Sequence, residues 1–253
     1  MADTSDLAIR IKGYETSGKL ELDPTLPIVI RLDGNSFSKF TKRFNKPFDR
    51  VITSAMEEAT KAVFDRISNV KIGYTQSDEI TLILLPTKDG VLGNRIDKIC
   101  SLLAARCSNI FNDYLRSMFP DEDFFAEFDC RAFNVPSLSE AKNALLWRQF
   151  DCWKNYVGVV AHHKFGTKKL HKKNTSEKIA MLKEFGIDVY TDFNEKYHYG
   201  LLFFKTKKLV PIPEEYKSFP QNVGKTHIER SHFSLETGLI SNSDLFEKVM
   251  TNE

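Results

Sequence analysis

Residues 27–32, Pro-Ile-Val-Ile-Arg-Leu, form an apolar run that stops abruptly at Asp33-Gly34, the pattern of a buried strand. Before it, Leu7, Ile11 and Tyr14 recur at helical spacing and predict a short amphipathic opening helix. After it comes a polar, Phe-studded loop, then an apolar helix face at Ile52, Ala55, Met56, Ala59, Val63 and Ile67, with Asp49 placed to cap it. Residues 70–75 and 80–85 read as two strands joined by a tight Gln76-Ser77-Asp78-Glu79 turn, a hairpin with carboxylates at its tip. A long helix is predicted over 95–119 and a further strand over 124–134, ended by Pro136.

The order β-α-β-β-α-β predicts an α+β fold. Its core is ferredoxin-like and of polymerase-palm type, with helices on one face of an antiparallel sheet. That core, with the opening helix, occupies residues 1–136; residues 137–253 form a C-terminal α/β elaboration packed on it as one unit. In the elaboration Ser137 and Glu140 fit a capping box, Thr175 is placed to cap a helix that Gly186 stops, a hairpin is expected around Lys205–Lys208, and a last helix near 244–250.

Composition changes this picture little. The chain of 253 residues is 42% hydrophobic and 28% charged, which excludes a disordered or collagenous protein. No apolar run reaches the ~18 residues a membrane span needs. The first residues carry two acids before any base, unlike a presequence, and the four cysteines lie far apart with no C-x-x-C pair. An intracellular, cytoplasmic protein with reduced thiols is the expectation, an organelle remaining open. The net charge of +2 does not announce nucleic acid by itself.

The chemistry is concentrated in the acids. Asp33 closes one strand and Asp78 and Glu79 tip a neighbouring hairpin, so they can converge at one sheet edge. Such carboxylates suit magnesium, which takes hard oxygen ligands together with substrate phosphates; Gly34 leaves room for close approach. Each dipeptide alone is equally an ordinary turn. The basic run Lys164, Lys168, Lys169, Lys172, Lys173 and Lys178 reads either as a phosphate contact or as a solvated surface. Phe37, Phe40 and Phe44, interleaved with Lys39, Lys42 and Arg43, read as core anchors. His162 and His163 have no ligand-spaced partner and are read as phosphate contacts or plain surface.

Five motifs in order, Arg31-Leu-Asp-Gly-Asn-Ser-Phe37, Lys46-Pro47, Gln76-Ser-Asp-Glu79, Phe128-Asp-Cys-Arg131 and Trp147-Arg-Gln-x-Asp151, resemble those of the tRNA-His guanylyltransferase family. The resemblance runs from about residue 10 to 205. It implies that Asp33, Asp78 and the Gly34 carbonyl bind two Mg2+ ions, that Glu79 is an essential acid, and that Lys46 serves an activation step. It further implies that Asp33, Gly34, Asn35, Ser36, Phe37, Ser38, Ser77 and Asp78 hold a nucleotide, with Arg95 and Lys98 on its triphosphate. ATP and GTP or another NTP would be substrates and tRNA the partner, with Asn155 and, from their charge alone, Lys164, Lys168, Lys169, Lys172 and Lys173 as its candidate contacts. A homo-oligomer, a tetramer, is implied as well.

One departure matters. Where the tRNA-His branch has His-Ile-Asn-Asn-Leu-Tyr-Asn, this chain has Trp153-Lys-Asn-Tyr-Val-Gly-Val159, keeping only Asn155. It therefore resembles the guanylyltransferase-like, template-dependent 3′-to-5′ polymerases that repair 5′-truncated tRNA. Addition of a single G to tRNA-His, a nucleotidyl cyclase sharing the palm, and an RNA-binding protein with a decayed site are the alternatives.

Overall fold

The computed structural model describes residues 4–16, 19–88, 90–242 and 244–251. The helices are α1 (Thr4–Thr16), α2 (Phe37–Phe40), α3 (Arg50–Asp65), α4 (Ile96–Met118), α5 (Leu138–Lys169), α6 (Thr175–Glu184), α7 (Glu195–Tyr199) and α8 (Leu245–Thr251). The strands are β1 (Ile28–Gly34), β2 (Val70–Gln76), β3 (Glu79–Leu84), β4 (Phe128–Asn134), β5 (Leu201–Pro211) and β6 (His227–Glu236). They form one sheet in the order β4-β1-β3-β2-β5-β6, each neighbour antiparallel. Its first four strands have the ferredoxin-like arrangement that the sequence predicts.

Side-chain alternation divides the core. Ile28, Ile30 and Leu32 face α3 and α4, where Met56, Val63, Leu103 and Phe111 are buried. Val29, Ile72, Tyr74 and Ile83 face the other side, under Ala141 and Leu145 of α5 and Phe246 of α8. The expectation of helices on one face therefore holds for α3 and α4, whereas the chain after residue 136 covers the second face. Because β3 is covered twice, all its residues are buried, Glu79 and Thr81 among them, and it shows no alternation of apolar and exposed positions. Asp49 caps α3 as expected, accepting from the amides of Val51 and Ile52 at 2.8 and 3.2 Å.

Four local expectations are corrected. Residues 205–208 are the middle of β5, not a turn; Lys205 and Lys207 stand outward, paired with Asp65 and Glu229. Only Gly73, Tyr74 and Thr75 of β2 reach β5, and beyond them β5 and β6 continue as a two-stranded arm. The strand expected from residue 124 starts at Phe128, because the Asn112 side chain pairs with both the N–H and the C=O of Ala126, at 2.8 and 2.9 Å. Asn174, not Thr175, caps α6, reciprocally with Glu177. Finally, the apolar face of α1 is not packed: Leu7, Ile11 and Tyr14 are exposed. Among the described residues no helix is long and apolar enough to cross a membrane.

Candidate active site

The end of β1 and the tip of the β2–β3 hairpin are joined by backbone. Asp33 stands opposite Glu79 in register, and the Gly34 amide donates to the Asp78 carbonyl at 3.1 Å. The two-residue turn needs a positive φ, which Ser77 adopts at 51°. Its hydroxyl then donates to Asp78 Oδ1 at 2.9 Å. The three acids thus gather at one sheet end, as expected, but their surroundings differ.

Glu79 is buried and fully engaged. Arg148 of α5 grips it with two bonds, Nε to Oε1 at 2.6 Å and Nη2 to Oε2 at 2.5 Å, and Arg31 Nε lies 3.4 Å from Oε2. Arg31 Nη2 donates to Asp33 Oδ2 at 3.0 Å. Burial raises the Glu79 carboxyl while the Arg148 bonds lower it, leaving it above its usual range. Asp78 has no arginine; burial, with the nearby Asp33 charge, pushes it up to about 6 against the Ser77 hydrogen bond.

Among the described residues no three His, Cys, Asp or Glu side chains form a ready-made metal cage. Two carboxylates that face one end of the sheet nonetheless fit magnesium, which takes one or two carboxylates and leaves the rest to phosphates. A proton would compete with a bound cation for Asp78 below its raised pKa. At limiting Mg2+, any reaction that needs the ion here should slow as pH drops through about 6, and a higher Mg2+ concentration should move that limb to lower pH. Rate profiles at two Mg2+ concentrations measure this, and coincident limbs would remove Asp78 from the metal.

Gly34 has a reason other than room for ligand. A Cβ there would lie 2.2 Å from Cδ2 of Phe37. Phe37 is itself core, packed on Phe40, Phe111 and Phe128 at ring distances of 5.2, 5.3 and 5.2 Å. Of the stretch expected to hold nucleotide, Phe37 therefore has only backbone to offer, whereas Asn35, Ser36 and Ser38 are exposed.

Beside the tip opens a cavity of about 720 Å³, walled by Ser38, Lys46, Ser77 and Asp78 and by an aromatic slab. Phe48 stacks on Tyr197 at 4.2 Å and on Tyr156 at 5.8 Å, nearly parallel to both. Lys46 Nζ donates to the Thr41 hydroxyl at 3.3 Å. Asn155, expected among the tRNA contacts, lines this cavity with His162, His163 and Lys196. The sequence reading set the histidines aside, yet their spacing from Asn155 puts all three on one face of α5.

Other expected residues are not brought here. Arg95 pairs through its backbone with Glu21, and its side chain binds Asp97, at the end of the sheet where β1 begins. With Lys98 it is separated from Asp33 by the length of β1, about 20 Å at ~3.3 Å per residue. The topology could have given this, since the helix after β3 must start where β3 ends, away from the tip. Lys164, Lys168, Lys169, Lys172 and Lys173 are exposed at and beyond the distal end of α5. Trp153 is half-buried, stacked on Tyr190 and Tyr199 at 5.3 and 5.8 Å.

The model of the tRNAHis guanylyltransferase family matches residues 8–136, the part of the chain that holds both acidic elements. The chain belongs to this family. Among its relatives, an uncharacterized protein of Acanthamoeba polyphaga mimivirus is 30% identical over 78% of this chain and 76% of its own length. A probable tRNA(His) guanylyltransferase of Mus musculus is 31% identical over 51% of this chain; the match spans only 46% of that protein. A solved bacterial tRNA(His) guanylyltransferase-like protein in complex with ATP superimposes with a TM-score of 0.80 at 27% identity, over 96% of this chain and 98% of that one. The guanylyltransferase family thus accounts for the palm-like core, and the structural likeness extends through the elaboration.

Proposed function

We propose that this chain is a template-dependent 3′-to-5′ nucleotidyltransferase that adds nucleotides to the 5′ end of truncated tRNA. The observation that carries the reading is the place of Asp78, next to Asp33 at the sheet end, in the wall of a cavity that also offers Lys46 and stacked aromatic rings, one end suited to phosphates and the other to a base. The likeness to an ATP-bound relative over nearly the whole chain supports it. Trp153, set in an aromatic stack where the tRNA-His branch carries histidine, favours repair over tRNA-His selection.

Asp33, Asp78 and the Gly34 carbonyl would hold Mg2+, two ions by family resemblance. Bound there, magnesium would supply charge neutralisation for the reacting phosphates. The 5′-phosphate of the tRNA attacks the α-phosphorus of ATP and releases pyrophosphate. The 3′-hydroxyl of an incoming NTP, GTP or another, then attacks the adenylylated phosphate and releases AMP, leaving the newcomer's triphosphate at the new 5′ end. Lys46 holds phosphate charge in the first step, and the aromatic slab orients a base. Pairing with the opposite strand selects the nucleotide, so the protein need only hold duplex shape. A homotetramer is part of the proposal.

The test uses 5′-truncated tRNAs that differ in the unpaired opposing base, each carrying a 5′-mono- or triphosphate. The wild type should add the complementary nucleotide to all of them. Lys46→Ala should fail on the monophosphate and recover on the triphosphate, which needs no adenylylation. One G added whatever the opposing base would establish the tRNA-His reading, and cyclic nucleotide formed without RNA would establish a cyclase.

A further inference from the structure

Arg148 lies in none of the roles assigned so far, yet it is the most constrained cation near the acids. It is buried, 7% exposed, on the sheet-facing side of α5. Its fork takes both oxygens of Glu79, and Nη2 also donates to Asp151 Oδ2 at 2.9 Å. Asp151 in turn accepts from Asn155 Nδ2 at 3.3 Å, and the exposed ring of Trp147 lies 4.4 Å from the guanidinium. Planar, two-bond recognition of a carboxylate fixes direction as well as distance, which a lysine cannot do.

On the other side of Glu79 the restraint is weaker. Arg31 Nε is buried without a hydrogen-bond partner and is held by its 3.4 Å ionic contact with Glu79. Arg31 is nevertheless the group that holds Asp33, at 3.0 Å. The order of Asp33 therefore depends on Arg31, that of Arg31 on Glu79, and that of Glu79 on Arg148. Glu79, consumed by two arginines, has no oxygen free of cationic contact to offer a metal.

We propose that Arg148 is a positioning residue, setting the Asp33 carboxylate through the Glu79–Arg31 relay, so that Glu79 acts as a hub and not as a metal ligand. This rests on the reading of Asp33 and Asp78 as the metal-holding pair. It also explains why a buried charged pair stands here at all, since apolar packing of similar volume would stabilise the fold equally well.

The test compares wild type, Arg148→Lys, Glu79→Gln, their double variant and Asp78→Asn. The readouts are Mn2+ binding by electron paramagnetic resonance, single-turnover nucleotide addition, KM for tRNA and thermal melting. Arg148→Lys keeps the charge and loses the fork. It should weaken Mn2+ binding and slow turnover, each ~10–100-fold, with the KM for tRNA unchanged. Glu79→Gln should do the same, and the double variant should be no worse than the poorer single one, because the two act as a unit. If Arg148→Lys does not fold, Glu79→Gln alone decides by the same criteria. The proposal is overturned by wild-type Mn2+ affinity in whichever of them folds, by a lowered melting temperature with unchanged turnover per folded molecule, or by additive losses. Asp78→Asn separates the two readings. If it keeps both Mn2+ binding and turnover, the metal pair itself is wrong. If it loses both while Arg148→Lys keeps them, only the positioning role falls.

Discussion

Replacing Asp78 with asparagine should abolish nucleotide addition while leaving tRNA bound. The change keeps the shape of the hairpin tip and its backbone bond to Gly34, which runs through the Asp78 carbonyl and not its side chain. It removes the one of the three acids that no arginine holds. A metal's charge stabilisation is worth several kcal/mol, so its loss corresponds to roughly 10³-fold or more in rate. Stability should move the other way. In the folded chain the Asp78 carboxyl sits at about 6, above its ordinary 3.8, so the folded state binds the proton more tightly than the unfolded one. Ionised Asp78 therefore costs stability, and the cost is fully present above pH 6 and fades as pH falls toward 4. Asparagine removes that cost, so the metal-free variant should melt no lower than wild type at neutral pH. Single-turnover extension, filter binding and thermal melts report the three quantities. Turnover within ~10-fold of wild type would overturn the assignment.

Gly34→Ala should damage the fold and the site together. The added methyl would stand 2.2 Å from the Phe37 ring, which is packed on Phe40, Phe111 and Phe128 and must shift out of those contacts to make room. Overpacking of a closed core costs about 1–3 kcal/mol. At roughly 2–4 °C per kcal/mol for a chain of this size, the melting temperature should drop by about 2–12 °C. The strain falls on the residue after Asp33, so addition should slow even in the folded fraction. Phe37→Leu in the same chain makes room and should recover part of both losses. An alanine variant that melts and reacts like wild type would mean that the ring moves aside freely.

How far the sequence could be read depends on where each element finds its partners. β1 and the β2–β3 hairpin are buried on both faces or closed by a two-residue turn, so local pattern suffices; the same holds for the Asp49 cap. β5 and β6 leave the sheet after a few residues, and their outward lysines resemble a loop because no layer covers them. The approach to β4 resembles a strand because apolar Phe124 and Ala126 are buried, but its hydrogen bonds go to the Asn112 side chain. At the site, Asp33, Asp78 and Glu79 were legible as one cluster. The fate of Glu79 was not, because its arginine lies 69 residues away and charge alone names no partner. Arg95 and Lys98 suited phosphate chemically, and only the direction of α4 shows that they stand at the wrong end.

α5 carries a final consequence. Between Arg148, against the acids, and Lys164, where the lysines begin, it is one unbroken helix, about 24 Å at ~1.5 Å per residue. The chain departs from helical geometry only at Gly166, with φ 71° and ψ 167°. A rod does not stretch, so an RNA gripped by those lysines would meet the acids at one set separation. The helix would then set the reach between the place where the stem is gripped and the place where its 5′ end is extended.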